Sequence, residues 1–270
     1  FGKEDFSRFS NTSLVPLLNN QPGIRMEERS PGSYRLSIRG SSLRSPFGVR
    51  NVKVYWNGMP LTDPGGNTYL NLIDLSGTDR MEVIRGPGSS LYGAGNGGVV
   101  LLSTGSRPER LRAELSAGGY GMFRASAGYR GGDAKKSLDL QLSRQSSDGY
   151  RVQSAMQRDV IQVASHLATG SKTTLSFSGF SSALRYQTPG GLTLAQFNAN
   201  PAQARPAAGI NPGAVEQQAA VRNETTFGGL TMEHQHSERW LSTVIIFGNI
   251  TAFTNPAIRN YEQQIGRAHV

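Results

Sequence analysis

Three stretches, read in order, decide the fold of this chain: Leu36-Ser37-Ile38-Arg39-Gly40, then Val52-Lys53-Val54-Tyr55-Trp56-Asn57-Gly58-Met59-Pro60-Leu61, then Met81-Glu82-Val83-Ile84-Arg85-Gly86-Pro87-Gly88-Ser89-Ser90-Leu91-Tyr92-Gly93. Each opens as a short β-like run and closes on residues that interrupt a strand. Asn57-Gly58 supplies the positive-φ positions of a tight hairpin turn. Arg85-Gly86-Pro87 stops a strand, because proline lacks the backbone donor and restricts the residue before it. Gly93-Ala94-Gly95-Asn96-Gly97-Gly98 contains a formal G-x-G-x-x-G. It leads into the β-like Val99-Val100-Leu101-Leu102-Ser103 instead of opening a helix, so it does not read as a dinucleotide loop. Upstream, residues 11–19 have helix-start character: Ser13 as a cap, Leu14, Leu17 and Leu18 on one face, Pro22-Gly23 beyond the end. The opening third therefore reads as a small mixed α/β domain.

From Leu111 onward the texture changes to strict alternation. Leu111, Ala113, Leu115 and Ala117 interleave with Arg112, Glu114 and Ser116, and Phe123, Ala125, Ala127 and Tyr129 interleave with Arg124, Ser126 and Gly128. Gly118-Gly119 reads as the reversal between them. Leu138, Leu140 and Leu142 continue the pattern, as do segments near 158–167, 172–181, 225–236 and 239–250. These amount to about seven strands, each near the roughly 9–11 residues of a tilted membrane strand. A soluble β-sandwich would alternate in the same way. Residues 183–224, rich in Pro, Ala, Gln and Asn, are too long for an unstructured loop in a compact soluble domain. Beside short connections at 118–121 and 169–172, they suit a barrel with short turns at one end and long loops at the other.

Composition excludes several classes. Of the 270 residues only 37% are hydrophobic and 33 are glycine, and no run approaches the roughly 18 apolar residues of a spanning helix. The net charge of +9 is spread through strand-like segments without Lys/Arg runs, so nucleic acid is not an expected partner. Basic side chains also suit a polar lumen that attracts anions, or a solvated surface. With no cysteine there is no disulfide framework, thiolate zinc site or cysteine nucleophile. No G-x-S-x-G elbow occurs either. His234 and His236 fall on one face of a strand, read as lumen-facing with Glu233 opposite, and lack the further ligands of a metal site. The chain opens at Phe1 without a methionine or a signal segment, which reads as a missing start, and residues 265–270 spell one translation of a sequencing adapter.

Together the three opening stretches closely resemble the plug domain of TonB-dependent outer-membrane receptors. Ser13-Leu14 and Gln21-Pro22-Gly23-Ile24 resemble that family's short helix and following turn, and Gly97-Gly98-Val99-Val100 resembles its closing strand. The match runs over about residues 10–104, with two departures. Asn57-Gly58 replaces the usual Asp-Gly, which keeps the turn and drops the carboxylate, and Leu101-Leu102 replaces a more polar closing strand. The resemblance implies a mostly β chain: a small mixed α/β plug domain over 1–105, its N-terminus truncated, followed by an incomplete antiparallel transmembrane β-barrel over 106–264, with 265–270 a possible adapter scar.

It further implies that Arg39, Glu82 and Arg85 hold the plug in the barrel by ion pairs with wall carboxylates beyond this stretch; taken alone, Glu82 and Arg85 also fit exposed strand charges. Ligand contacts would come from residues 41–50, with Arg44 and Phe47, from 62–69, ending on Tyr69, and from Tyr186 at the foot of the long loop. Their aromatic and cationic character suits an anionic, partly apolar chelate, while Phe47 and Tyr69 equally fit packing within their own loops. The implied activity is non-enzymatic: energised uptake across the outer membrane with no catalytic residue, resident metal or cofactor. The implied partners are the inner-membrane TonB complex, outer-membrane lipid and a small molecule. A ferric siderophore is favoured, with cobalamin or a carbohydrate as competitors. Thr188-Pro189-Gly190-Gly191 and Gln196-Phe197-Asn198-Ala199-Asn200-Pro201 resemble a surface loop of the iron-receptor branch. A non-transporting barrel adhesin or binding module and a soluble β-rich enzyme are the other readings.

Overall fold

The hairpin-and-stop pattern of the opening third folds into two small sheets. The computed structural model describes all residues except 10–11, 31–32, 42–47, 87, 94–96, 106–110, 134, 257–261 and 270. Helices α1 (Lys3–Arg8) and α2 (Val15–Asn19) precede an antiparallel ribbon of β1 (Ile24–Ser30) and β2 (Ser33–Ile38). Strands β3 (Val52–Trp56), β4 (Met59–Pro60) and β5 (Arg80–Arg85), a short helix α3 (Ser89–Tyr92) and strand β6 (Gly98–Ser103) follow. They form a sheet in the order β4-β3-β6-β5, in which β3 and β6 run parallel. Asn57 at φ 49° and Gly58 at φ 81° make the expected turn between β3 and β4. Ser13 Oγ accepts from the Val15 N–H at 3.2 Å, and Leu14, Leu17 and Leu18 are buried as their spacing requires. Helix α1 is an addition to the sequence reading, started by the Asp5 carboxylate accepting from the Gly2 N–H at 2.9 Å.

The second part is one antiparallel sheet of consecutive hairpins: β7 (Leu111–Ala117), β8 (Phe123–Gly132), β9 (Lys136–Ser147), β10 (Met156–Thr169), β11 (Thr173–Gln187), β12 (Ala220–Ser237), β13 (Trp240–Pro256) and β14 (Glu262–His269). The opening domain packs on one face of this sheet. That face is polar and buried, carrying Arg124, Ser126, Gln141, Gln145, Arg158 and Asn223. The opposite face is apolar and exposed, carrying Leu142, Ile161, Leu230, Ile246 and Ile250. A soluble sandwich buries its apolar face, so this arrangement belongs to a wall that meets hydrocarbon outside and a polar filling inside.

The register sorts the outward side chains into rows. Leu142, Ile161, Ser181, Thr226 and Ile250 align in one row, and Leu138, Ser165, Phe177, Leu230 and Ile246 in another. Towards the long-loop end the rows turn polar: Ser146, Gln157, Arg185, Arg222 and Thr254, with Arg144 and Asp159 paired at 3.7 Å in the next row down. At the short-turn end Thr169, Thr173, His234 and Ser242 align. Ile246 is 72% exposed in the apolar rows. We expect Ile246→Arg to cost roughly 2–4 kcal/mol in urea-titrated folding into phospholipid vesicles and Thr254→Arg about 0–1. Equal costs would mean that the hydrocarbon boundary lies elsewhere.

Four expectations need correction. Among the described residues the sheet has eight strands where about seven were read. Strands β11 and β12 run on to Gln187 and back from Ala220, which shortens the long loop to residues 188–219. At their outer ends the outward positions are Arg185 and Arg222, so the apolar/polar contrast that marks a strand fades. The β7–β8 reversal places its positive φ on Tyr120 and Gly121, not on Gly118-Gly119. Finally, His234 shares the outward row of Ser242 and Thr173, while Glu233 is the residue lining a cavity on the inner face. The histidines face outward because strand parity is fixed by Phe227, which packs inward against Trp56.

Candidate functional site

The junction between domain and sheet is built on one carboxylate. Asp74 lies between the 3-10 turns Leu70–Leu72 and Leu75–Gly77, where its Oδ1 accepts from the Ser76 N–H at 2.8 Å. Alternation on β8 and β10 aims Arg124 and Arg158 at it, at 2.8 and 3.4 Å, and the side chains of Asp74 and Arg124 are both 0% exposed. Arg124 also donates to Ser126 Oγ at 3.1 Å. Arg158 donates to the Asn71 carbonyl at 3.2 Å and to Gln145 Oε1 at 2.9 Å, while Gln162 Oε1 accepts the Asp74 N–H at 3.2 Å. Burial alone would raise the Asp74 carboxyl. The pull of Arg158 and Arg124, with hydrogen bonds from Ser76 and Ser143, outweighs it and holds the carboxyl below the ordinary aspartate range. A second clamp joins Asp79 to Arg130 at 3.1 Å, with Asp139 on the other side of that guanidinium.

Two cavities flank the junction. Towards the long-loop end, one of about 120 Å³ lies between Leu61, Tyr69 and Ile73 of the opening domain and Phe180, Phe227 and Phe253 of the wall. Asp63, Asn67 and Asn249 add polar groups, and Arg50 is tied to this rim by its bond to Asn67 Oδ1 at 2.6 Å. Towards the short-turn end, a wider cavity of about 890 Å³ runs between Asn57 and Thr104 on one side and Arg130, Ser176, Thr231 and Glu233 on the other.

A stopper clamped by buried charges inside an inside-out sheet is the geometry the opening motifs anticipate, and residues 1–100 match the family model described as TonB-dependent Receptor Plug Domain. The chain carries a plug domain of the TonB-dependent receptor family over residues 1–100. It is a protein of the outer membrane, a plug with part of a barrel that does not close. It is 27% identical over 154 residues to the vitamin B12 transporter BtuB of Photobacterium profundum, which covers 55% of this chain and 24% of that protein. It thus spans about a quarter of that relative's length. Among solved structures, the ferric yersiniabactin uptake receptor FyuA from Yersinia pestis superposes with TM-score 0.76 at 18% identity. The unliganded ferric citrate transporter FecA superposes with TM-score 0.75 at 21% identity. Each superposition covers 94% of this chain and 40% of the other, and the likeness is one of fold.

Arg39, Glu82 and Arg85, the plug charges expected to meet the barrel, are all exposed. Glu82 pairs with Arg80 of its own strand at 2.9 Å and Arg85 donates to the Pro22 carbonyl at 3.0 Å. Among the described residues no ion pair joins Arg39 to another side chain, and none of the three pairs with a side chain of β7 to β13. Arg44 and Phe47 lie outside the described residues. Tyr69, 40% exposed, tilts against Phe253 at 5.9 Å and lines the upper cavity. Tyr186 points inward, with its hydroxyl hydrogen-bonded to Ser33. Its hydroxyl also lies near enough to that of Tyr69 for the two to interact electrostatically. Gln187 and Thr188 tie the foot of the long loop to Ala155 and Ala219. The sequence reading missed Asp74, Arg124 and Arg158. The available signal was an aspartate in the apolar run Leu72-Ile73-Asp74-Leu75, opposite arginines on the polar parity of later strands.

The long loop is itself ordered. Thr193 and Gln196 form a reciprocal cap, at 3.3 and 3.0 Å, on α4 (Leu194–Ala199), a Thr-x-x-Gln signal that the sequence reading passed over. Arg151 from the neighbouring loop donates to the Gly190 and Gln203 carbonyls, both at 2.8 Å, so the two loops form one unit.

Proposed function

We propose that the receptor containing this chain captures a scarce small molecule on the outer side of its plug and passes it inward when the inner-membrane TonB complex acts on the plug. The observation that carries this reading is the buried junction of Asp74 with Arg124 and Arg158, which fixes a stopper across the barrel below a cavity facing the long loops. The process is non-covalent. In this reading residues 1–105 are the plug and 106–264 the opening part of the barrel. Arg39, Glu82 and Arg85 meet wall strands other than β7 to β14. Arg44, Phe47, Tyr69 and Tyr186 serve the ligand side.

A ferric siderophore is the favoured ligand, supported by Arg50 at the rim of the upper cavity and by the iron-chelate uptake named for FyuA and FecA. Cobalamin is the second reading. It is favoured by the sequence likeness to a vitamin B12 transporter and by a described cavity lining of aromatic, aliphatic and neutral polar groups with Asp63 but no lysine or arginine. In a strain deleted for the full-length gene, we expect energy-dependent uptake of a labelled ferric siderophore to fall while uptake of labelled cyanocobalamin is retained. The reverse pattern would replace iron by cobalamin, and unchanged uptake of both, with surface binding lost, would make the receptor a non-transporting binder.

A further inference from the structure

The two cavities meet at one small element of the plug. On β11, Phe180 lines the upper cavity and Ser178, the next inward residue, lines the lower. On β12, Phe227 lines the upper and Thr231 the lower, with Gly229 between them. The plug changes over across the same span, Leu61 above and Asn57 below. What separates the cavities is therefore the β3–β4 hairpin, Trp56 to Met59, pressed against the wall.

Its contacts are few and specific. Asn57 Nδ2 donates to Ser178 Oγ at 3.0 Å and, within the plug, also to Thr104 Oγ1. The Met59 sulfur lies so near Gly229 that no β-carbon fits there. Trp56 meets Phe180 and Phe227 edge-on at 5.7 and 6.3 Å, and those two rings stack at 5.4 Å. The hairpin is also the edge of the plug sheet: β4 is two residues long, pairs through Tyr55–Pro60 and Trp56–Met59, and is followed by the Leu61 N–H donating to the Val54 carbonyl at 2.8 Å. An edge hairpin with so short a ladder can withdraw at the cost of the Asn57 N–H bond to the Leu102 carbonyl and the Asn57–Thr104 contacts, leaving Val52 to Tyr55 paired with β6, and the Asp74 and Asp79 clamps sit on a different segment.

We propose that the β3–β4 hairpin is a gate: when Asn57 and Met59 leave Ser178 and Gly229, the upper and lower cavities join into one polar path along the inner faces of β11 and β12. The inference rests on the uptake reading and names its route. Glu233, His166 and Ser176 on the lower wall make this path hydrophilic, so water and a hydrated ligand can follow it once the aromatic contact opens.

The test is single-channel recording on the full-length receptor in planar lipid bilayers, which needs neither ligand nor energy source. The unaltered receptor is expected to be silent and Asn57→Ala/Met59→Ala to show discrete current steps. Adding Thr231→Cys, in a stretch with no native cysteine, should let a charged methanethiosulfonate reagent close those steps. Ser178→Ala alone leaves every plug residue in place and should open the same current less often, which keeps the idea testable if the double variant misfolds. Silence in a folded double variant and in Ser178→Ala overturns the gate, as does a current indifferent to modification at position 231. The uptake reading is scored separately by the deletion-strain assay, so a gate without uptake and uptake without this gate are distinct results.

Discussion

Replacing Asp74 by asparagine is expected to lower the stability of the plug–barrel assembly by about 3–5 kcal/mol, the cost of leaving buried charge uncompensated when one partner of an ion pair is removed. Asparagine keeps the shape and can still accept from Ser76, so the change isolates the charge. Arg124 has no solvent to turn to, and its remaining carboxylate, Glu114, stands 3.6 Å away and is partly exposed. Arg158 keeps its bonds to Asn71 and Gln145 but loses its carboxylate. Denaturant unfolding in lipid measures the effect, and a cost near that of a surface ion pair, about 0–1 kcal/mol, would show that the arginines relax to other partners. The same clamp sets a pH dependence. Because the folded carboxyl is held below its ordinary range, its stabilisation is complete above the unfolded aspartate value of about 4 and is lost as pH falls through the lower folded value. Acid titration of the unaltered chain should show this loss, and Asp74→Asn should lack that part of it.

The second large effect is expected at Trp56. Its side chain is 0% exposed and joins the plug core to Phe180 and Phe227 of the wall, so Trp56→Ala should cost about 3–5 kcal/mol by removing the packed ring and leaving a cavity. Trp56→Phe should cost clearly less, because the indole N–H has no hydrogen-bond partner among the described residues and phenylalanine removes that unsatisfied donor. The chain has two tryptophans, and Trp240 is 67% exposed at the short-turn rim. With Trp240→Phe as background, the blue-shifted emission of Trp56 reports whether plug and wall are docked. Equal losses for alanine and phenylalanine would mean that ring volume is not what Trp56 contributes.

How far these features could be read beforehand follows from which are local. Asn57-Gly58 had to be a turn, because few residue pairs accept two positive φ angles, and it is one. The alternation from Leu111 onward had to be strands, since only period two puts leucine and alanine on one side and Arg112, Glu114 and Ser116 on the other. The reading faltered where parity lost its contrast: at the long-loop ends of β11 and β12, and at His234, whose side is set by the inward Phe227 seven residues away. It also settled on Arg39, Glu82 and Arg85, which carry the family resemblance, and passed over Asp74, whose partners lie 50 and 84 residues further along.

The turns, the strand periods, the plug motifs and the inside-out alternation of the wall were all legible segment by segment. Those depend on backbone sterics and on side-chain parity, which each segment carries alone. Which charges meet, and that one edge hairpin stands between two cavities, came from the packing of the whole. Such pairings depend on how a folded domain seats against several strands at once, and a buried carboxylate takes whichever guanidinium the packing brings within reach.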